Sequence, residues 1–150
     1  MADTLFSSMY AAYDALSPRM RDYLDGLTAI HDGGPNYRRR ASIDGAEDGR
    51  SFPRAEHPVI RTHPETGRKA IFVNPVFTAA IKDAPPAEGD AILRFLYEHC
   101  AAPRFQVRFR WRAHSVAFWD NRCVQHIAMW DYYPQTRSGC RVTIKGDTPV

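Results

Sequence analysis

The sequence predicts an α+β domain built around part of a β-sandwich or jelly roll. Three observations predict it. Residues 105–112 alternate apolar Phe105, Val107, Phe109 and Trp111 with polar Gln106, Arg108, Arg110 and Arg112, the period of a half-buried strand. Further short apolar runs follow, each bounded by turn residues. Apolar residues at helical spacing fall in the earlier part of the chain, so the strands are separated by turns with helices inserted early.

The elements follow in order. Asp3-Thr4-Leu5-Phe6 is strand-like. Ser7 and Ser8 both offer N-caps for a helix through Met9, Ala12, Tyr13 and Leu16. Ser17-Pro18 is a second cap with proline at the first helical position, leading through Met20, Tyr23, Leu24 and Leu27. From His31 to about Pro58 the periodic signals fade, and turn residues and charge predict a long surface loop. Arg38-Arg39-Arg40 lies within it as a solvated basic run, and His31 and His57 near its ends read as surface histidines.

Residues 57–64 and 69–73 are predicted to form a hairpin around Glu65-Thr66-Gly67-Arg68. Pro85-Pro86 opens a helix with a buried stripe of Ile92, Leu93, Leu96 and Tyr97. Strands are expected at 105–112, 115–119, 124–129 and 141–145.

Composition excludes several classes. At 150 residues the chain fits one domain with a real core. Its 44% hydrophobic and 25% charged residues are ordinary for a soluble globular protein. No apolar stretch approaches membrane-spanning length, so no membrane partner is expected, and the lack of a signal-peptide pattern with cysteines read as reduced thiols predicts a cytoplasmic location. A net charge of +3 calls for no nucleic-acid partner. Cys100, Cys123 and Cys140 are odd in number and lack CxxC spacing, which argues against a disulfide framework or zinc knuckle.

The chemistry-bearing stretch is Trp119-Asp120-Asn121-Arg122-Cys123-Val124-Gln125-His126, followed by Arg137 and Arg141 eleven and fifteen residues after the histidine. A turn at Asp131-Tyr132-Tyr133-Pro134 between strands can bring such an arginine near His126. An arginine fork suits a carboxylate, and a metal-ligating histidine beside it suits a keto acid that chelates iron.

These residues, with Arg141-Val142-Thr143-Ile144-Lys145-Gly146-Asp147, closely resemble the C-terminal signature of the taurine dioxygenase (TauD/TfdA) family. The resemblance extends to His57–Gly67, Phe72-Val73-Asn74, Asp3–Phe6 and Ala11–Leu16. It implies a partial double-stranded β-helix (jelly roll) with flanking helices, and an Fe(II)- and 2-oxoglutarate-dependent dioxygenase that hydroxylates a small acidic, sulfonate-like substrate. It also implies His126 as an iron ligand, Thr4 and Arg137 on the far carboxylate of 2-oxoglutarate, and Arg141 on the anionic group of the substrate or the cosubstrate.

The family's His-x-Asp/Glu metal motif is absent from its expected place, and His63-Pro64-Glu65, which has the form, lies in the wrong segment. Residues 1–150 therefore read as the C-terminal portion of such a domain, a truncated or fragmentary form expected to be inactive alone. Self-association, or pairing with a chain carrying the other portion, is the partner expectation. The alternative is a non-catalytic remnant that binds through an open sheet edge.

Overall fold

The computed structural model describes residues 2–43 and 51–150, without the side chains of residues 40–43. Among the described residues, eight strands and four α-helices run in the order β1 (Thr4–Ser8), α1 (Met9–Asp14), α2 (Pro18–Leu24), β2 (Thr28–Asp32), α3 (Gly34–Ile43), β3 (Arg54–Pro58), β4 (Ile60–Thr62), β5 (Lys69–Ile71), β6 (Thr78–Ile81), α4 (Pro86–Cys100), β7 (Gln106–Phe109) and β8 (Val124–Ala128). They form two three-stranded antiparallel sheets, β7-β1-β8 and β3-β2-β6, and the β4-β5 hairpin.

The two adjacent serines take different roles. Ser8 is the N-cap of α1, its hydroxyl accepting from the Ala11 amide. Ser7 alternates to the other side of β1 and donates to the Cys100 carbonyl at 2.7 Å, joining this strand to the last turn of α4. Ser17 caps α2 with Pro18 behind it, as its sequence predicts.

The core lies between α1, α4 and the hairpin. Met9 and Ala12, Leu93 and Leu96, and Val59, Ile71 and Val73 are all buried in one cluster. Leu96 is fully enclosed, with the predicted stripe partners Ile92 and Tyr97 packed at its margin. Hairpin register pairs Ile60 with Ile71, so both apolar side chains face inward.

Residues 31–58 depart from the expected long loop. His31 lies in β2 and His57 in β3, whose backbones pair through His31↔Ala55 and Ala29↔His57. The Gly33-Gly34-Pro35 turn signal opens α3, whose first amide, at Gly34, is held by the Asp32 carboxylate at 2.7 Å. Arg38 and Arg39 are therefore exposed on a helix rather than a loop. Residues 44–50 of the expected loop lie outside the described residues. The two histidines are half-buried rather than fully exposed. Their rings meet edge to face at 5.0 Å and both pack on Phe72.

The C-terminal third is less regular than its alternation predicts. Strand β7 covers only Gln106–Phe109, and Val107 points outward with 62% of its surface exposed. Residues 115–119 and 141–145 form no strand, and β6 is an element the sequence reading omitted. A strand needs a neighbour to satisfy its backbone, and neither segment finds one among the described residues.

Candidate carboxylate-binding and metal-ligand site

Strand β1 is the centre of its sheet and builds the site by register. Phe6 lies directly across from His126, and Thr4 lies opposite Phe109 on one side and Ala128 on the other. Alternation then places Thr4, Phe6 and His126 on one face. The opposite face carries Ser7 and Gln125, which bond to the Cys100 and Val73 carbonyls and so point into the core.

His126 is predicted as a metal ligand and sits in β8, with its outer side exposed. Among the described residues no side-chain hydrogen bond holds the imidazole; rings do. Trp119 packs at 4.9 Å and Phe6 at 6.0 Å, while Trp119 and Phe6 touch each other at 5.0 Å. Their shielding from water, then the positive charge of Arg141, holds the His126 pKa below its ordinary value. The neutral imidazole is the form that binds metals.

Thr4 and Arg137, predicted to share a carboxylate, are brought together across 133 residues of chain. An Arg137 guanidinium nitrogen lies 3.5 Å from Thr4 Oγ1, a long contact. The same hydroxyl oxygen accepts from the Trp111 indole N–H at 2.9 Å. The Arg137 guanidinium in turn lies over the Trp111 ring at 5.8 Å. Thr4 is buried with 4% of its surface exposed, whereas Arg137 is half-buried.

Arg141 is exposed and bears on the site through its charge at His126. Sequence reasoning treated Trp111 only as an apolar strand residue. The signal that could have found it is an indole N–H on the open side of the strand, where it needs an acceptor.

A second polar cluster lies apart from this face. His63, Asp120 and Cys123 offer donor atoms within 4.8 Å of one another. Their bonds leave no room for a cation. His63 Nδ1 accepts from the Glu65 and Thr66 amides, so Nε2 carries the proton and donates to Asp120 at 3.1 Å. Arg122 grips the same carboxylate and, aided by His63, holds the Asp120 pKa far below the usual carboxylate range. Arg122 also reaches Asp147 at 3.4 Å, and the buried Arg61 donates to Asp147 at 2.6 Å. This node ties the loop bearing Trp119 to the hairpin and to the segment at Asp147. With both ring nitrogens of His63 engaged and the Glu65 side chain exposed, His63-Pro64-Glu65 acts within this node.

The sequence family described as "Taurine catabolism dioxygenase TauD, TfdA family" matches residues 2–143. The chain belongs to this family. It is 35% identical over 154 residues to the alpha-ketoglutarate-dependent sulfonate dioxygenase of Saccharomyces cerevisiae, covering 99% of this chain and 36% of that protein. It is 35% identical to the alpha-ketoglutarate-dependent sulfate ester dioxygenase of Pseudomonas putida, covering 99% of this chain and 52% of the relative.

Among solved structures, a taurine dioxygenase from Burkholderia xenovorans superposes with a TM-score of 0.75 at 38% identity, covering 88% of this chain and 43% of that one. The structure of AAD-2 in complex with Mn(II) and N-oxalylglycine superposes at 0.76 with 28% identity, covering 91% and 54%. This TauD/TfdA chain thus spans about a third to a half of the relatives it matches. Among the described residues, no helix is long and apolar enough to cross a membrane.

Proposed function

We propose that this chain supplies the cosubstrate-carboxylate site and one iron-ligating histidine of an Fe(II)- and 2-oxoglutarate-dependent dioxygenase acting on a small acid of the sulfonate class. The observation that carries the reading is the meeting of Thr4 and Arg137 on the sheet face that also bears His126. A hydroxyl and a guanidinium converging beside a neutral imidazole suit an acid held at one end by charge and at the other by metal. N-oxalylglycine is 2-oxoglutarate with an NH in place of one CH2, and its presence with Mn(II) in AAD-2 supports the same pairing. Sulfonate and sulfate ester relatives support the substrate class, and Arg141 is the cation placed to meet such an anion.

Iron would supply the oxidising chemistry. A facial site needs two histidines and a carboxylate. Among the described residues His126 belongs to no cluster of three metal-type side chains, so it offers iron one donor. The residues present do not make an Fe(II) site by themselves, and our reading requires a polypeptide portion bearing His-x-Asp/Glu. In this reading β7-β1-β8 is part of a double-stranded β-helix, and Phe118, Trp130, Val142 and Ile144, all more than three-quarters exposed, lie under that portion. The same exposed side chains favour the second reading, a non-catalytic module that binds a partner chain through this surface.

The test is calorimetric titration of 2-oxoglutarate into the purified chain, alongside an Arg137→Ala variant. Binding that the variant loses supports the first reading. Equal binding, or none in either protein, overturns it and leaves the binding module. Decarboxylation of 2-oxoglutarate is expected only after a His-x-Asp/Glu polypeptide is added; turnover by the chain alone refutes the single-donor account.

A further inference from the structure

We infer that Trp111 is a positioning residue that fixes the Thr4 hydroxyl as a hydrogen-bond donor and so makes the site select an anionic carboxylate over a neutral carboxamide. This rests on the reading of Thr4 and Arg137 as a carboxylate site.

The argument is an accounting of lone pairs. A threonine hydroxyl has one proton to give and two lone pairs to receive with. Thr4 Oγ1 receives the Trp111 indole N–H at 2.9 Å and an Arg137 N–H at 3.5 Å. Indole has no acceptor, so the direction of the Trp111 bond is settled by chemistry. The Trp111 bond occupies one lone pair and the long Arg137 contact faces the other, so the hydroxyl proton is the group Thr4 is best placed to offer. Arg137 is also donor-only. The pair therefore presents donors alone, which matches a carboxylate and opposes the N–H2 of an amide.

Packing reinforces the arrangement. Thr4 lies in the central strand of its sheet with 4% of its surface exposed, so water has little access to reorient the hydroxyl. Phe109 braces the Trp111 ring edge to face at 4.8 Å, and the Arg137 guanidinium covers the ring at 5.8 Å. Trp111 thus touches both members of the pair.

Trp111→Phe keeps an aromatic ring beneath Arg137 and removes the N–H together with part of the indole's bulk. One lone pair of Thr4 is then free, and the hydroxyl can turn to accept from an amide. The experiment measures affinity of the full chain for 2-oxoglutarate and for 2-oxoglutaramate, its far-end amide, without metal. The wild type is expected to prefer the acid, and Trp111→Phe to shrink that preference about fivefold, the size of one net hydrogen bond. A variant that merely loosened the fold would weaken both ligands alike and leave the ratio unchanged.

Thr4→Val is the second variant. It removes the acceptor, so the Trp111 indole N–H resonance is expected to move while that of Trp130 stays in place. A wild-type ratio in Trp111→Phe, or an unmoved Trp111 resonance in Thr4→Val, overturns the proposal and leaves the Arg137 reading intact. Unaltered 2-oxoglutarate affinity in Arg137→Ala overturns both.

Discussion

Replacing Ser7 by alanine tests how the site-bearing strand is held to the helical core. Ser7 Oγ donates to the Cys100 carbonyl at 2.7 Å, across 93 residues of sequence. Cys100 is the last residue of α4, where carbonyls lack partners within the helix. Ser7 has only 9% of its surface exposed and Cys100 only 3%, so water has poor access to replace the lost donor. A net hydrogen bond contributes about 1 kcal/mol, and an unsatisfied buried acceptor costs about 1–3 kcal/mol, so Ser7→Ala is expected to destabilise by about 2 kcal/mol. For a chain of this length that lowers Tm by roughly 4–8 °C.

The neighbouring Ser8→Ala removes a half-buried N-cap with a longer 3.3 Å bond and is expected to cost about 1 kcal/mol. Thermal and urea unfolding of both variants, followed by circular dichroism, gives the comparison. A Ser7→Ala protein that melts within about 1 °C of wild type, or above Ser8→Ala, refutes the reasoning.

Two further predictions concern buried charge. Burial, then the neighbouring His57, pushes the His31 pKa down to about 4, below the 6.5 of the unfolded chain. The unfolded state therefore binds more protons between these values, and stability present above pH 6.5 is lost as pH falls towards 4. After discounting for solvent screening the loss is roughly 1–2 kcal/mol, and His31→Gln is expected to flatten the Tm-against-pH curve over that window. At the second site, Asp147→Ala strands the buried guanidinium of Arg61, whereas Arg61→Met removes the charge altogether. Asp147→Ala is expected to lower Tm more than Arg61→Met does; the reverse order in a melting experiment refutes the pairing.

Much of the scaffold was legible because its signals are local. Ser17-Pro18, the Leu93 and Leu96 stripe and the turn between β4 and β5 each declare their element within a few residues. The region from His31 to Pro58 was not legible, because β2 and β3 are short and polar and gain their order from pairing with each other. His31 and His57 looked like surface residues because nothing near them in sequence announces the Phe72 ring on which both pack. Alternation at 105–112 was read correctly as a strand but overextended, since period two reports a face and not a partner.

The sequence by itself determined the candidate donors: a histidine after Trp119-Asp120-Asn121-Arg122, arginines eleven and fifteen residues beyond it, and a threonine near the start. Those are matters of residue type and spacing, which a chain carries unfolded. Only the tertiary structure decided that Thr4 and Arg137 meet, that Trp111 donates to the Thr4 oxygen, and that Ser7 rather than Ser8 reaches α4. The physical reason is register. A central strand brings partners from two distant segments to either side of it, and a shift of one residue would send Thr4 and Phe6 to the opposite face.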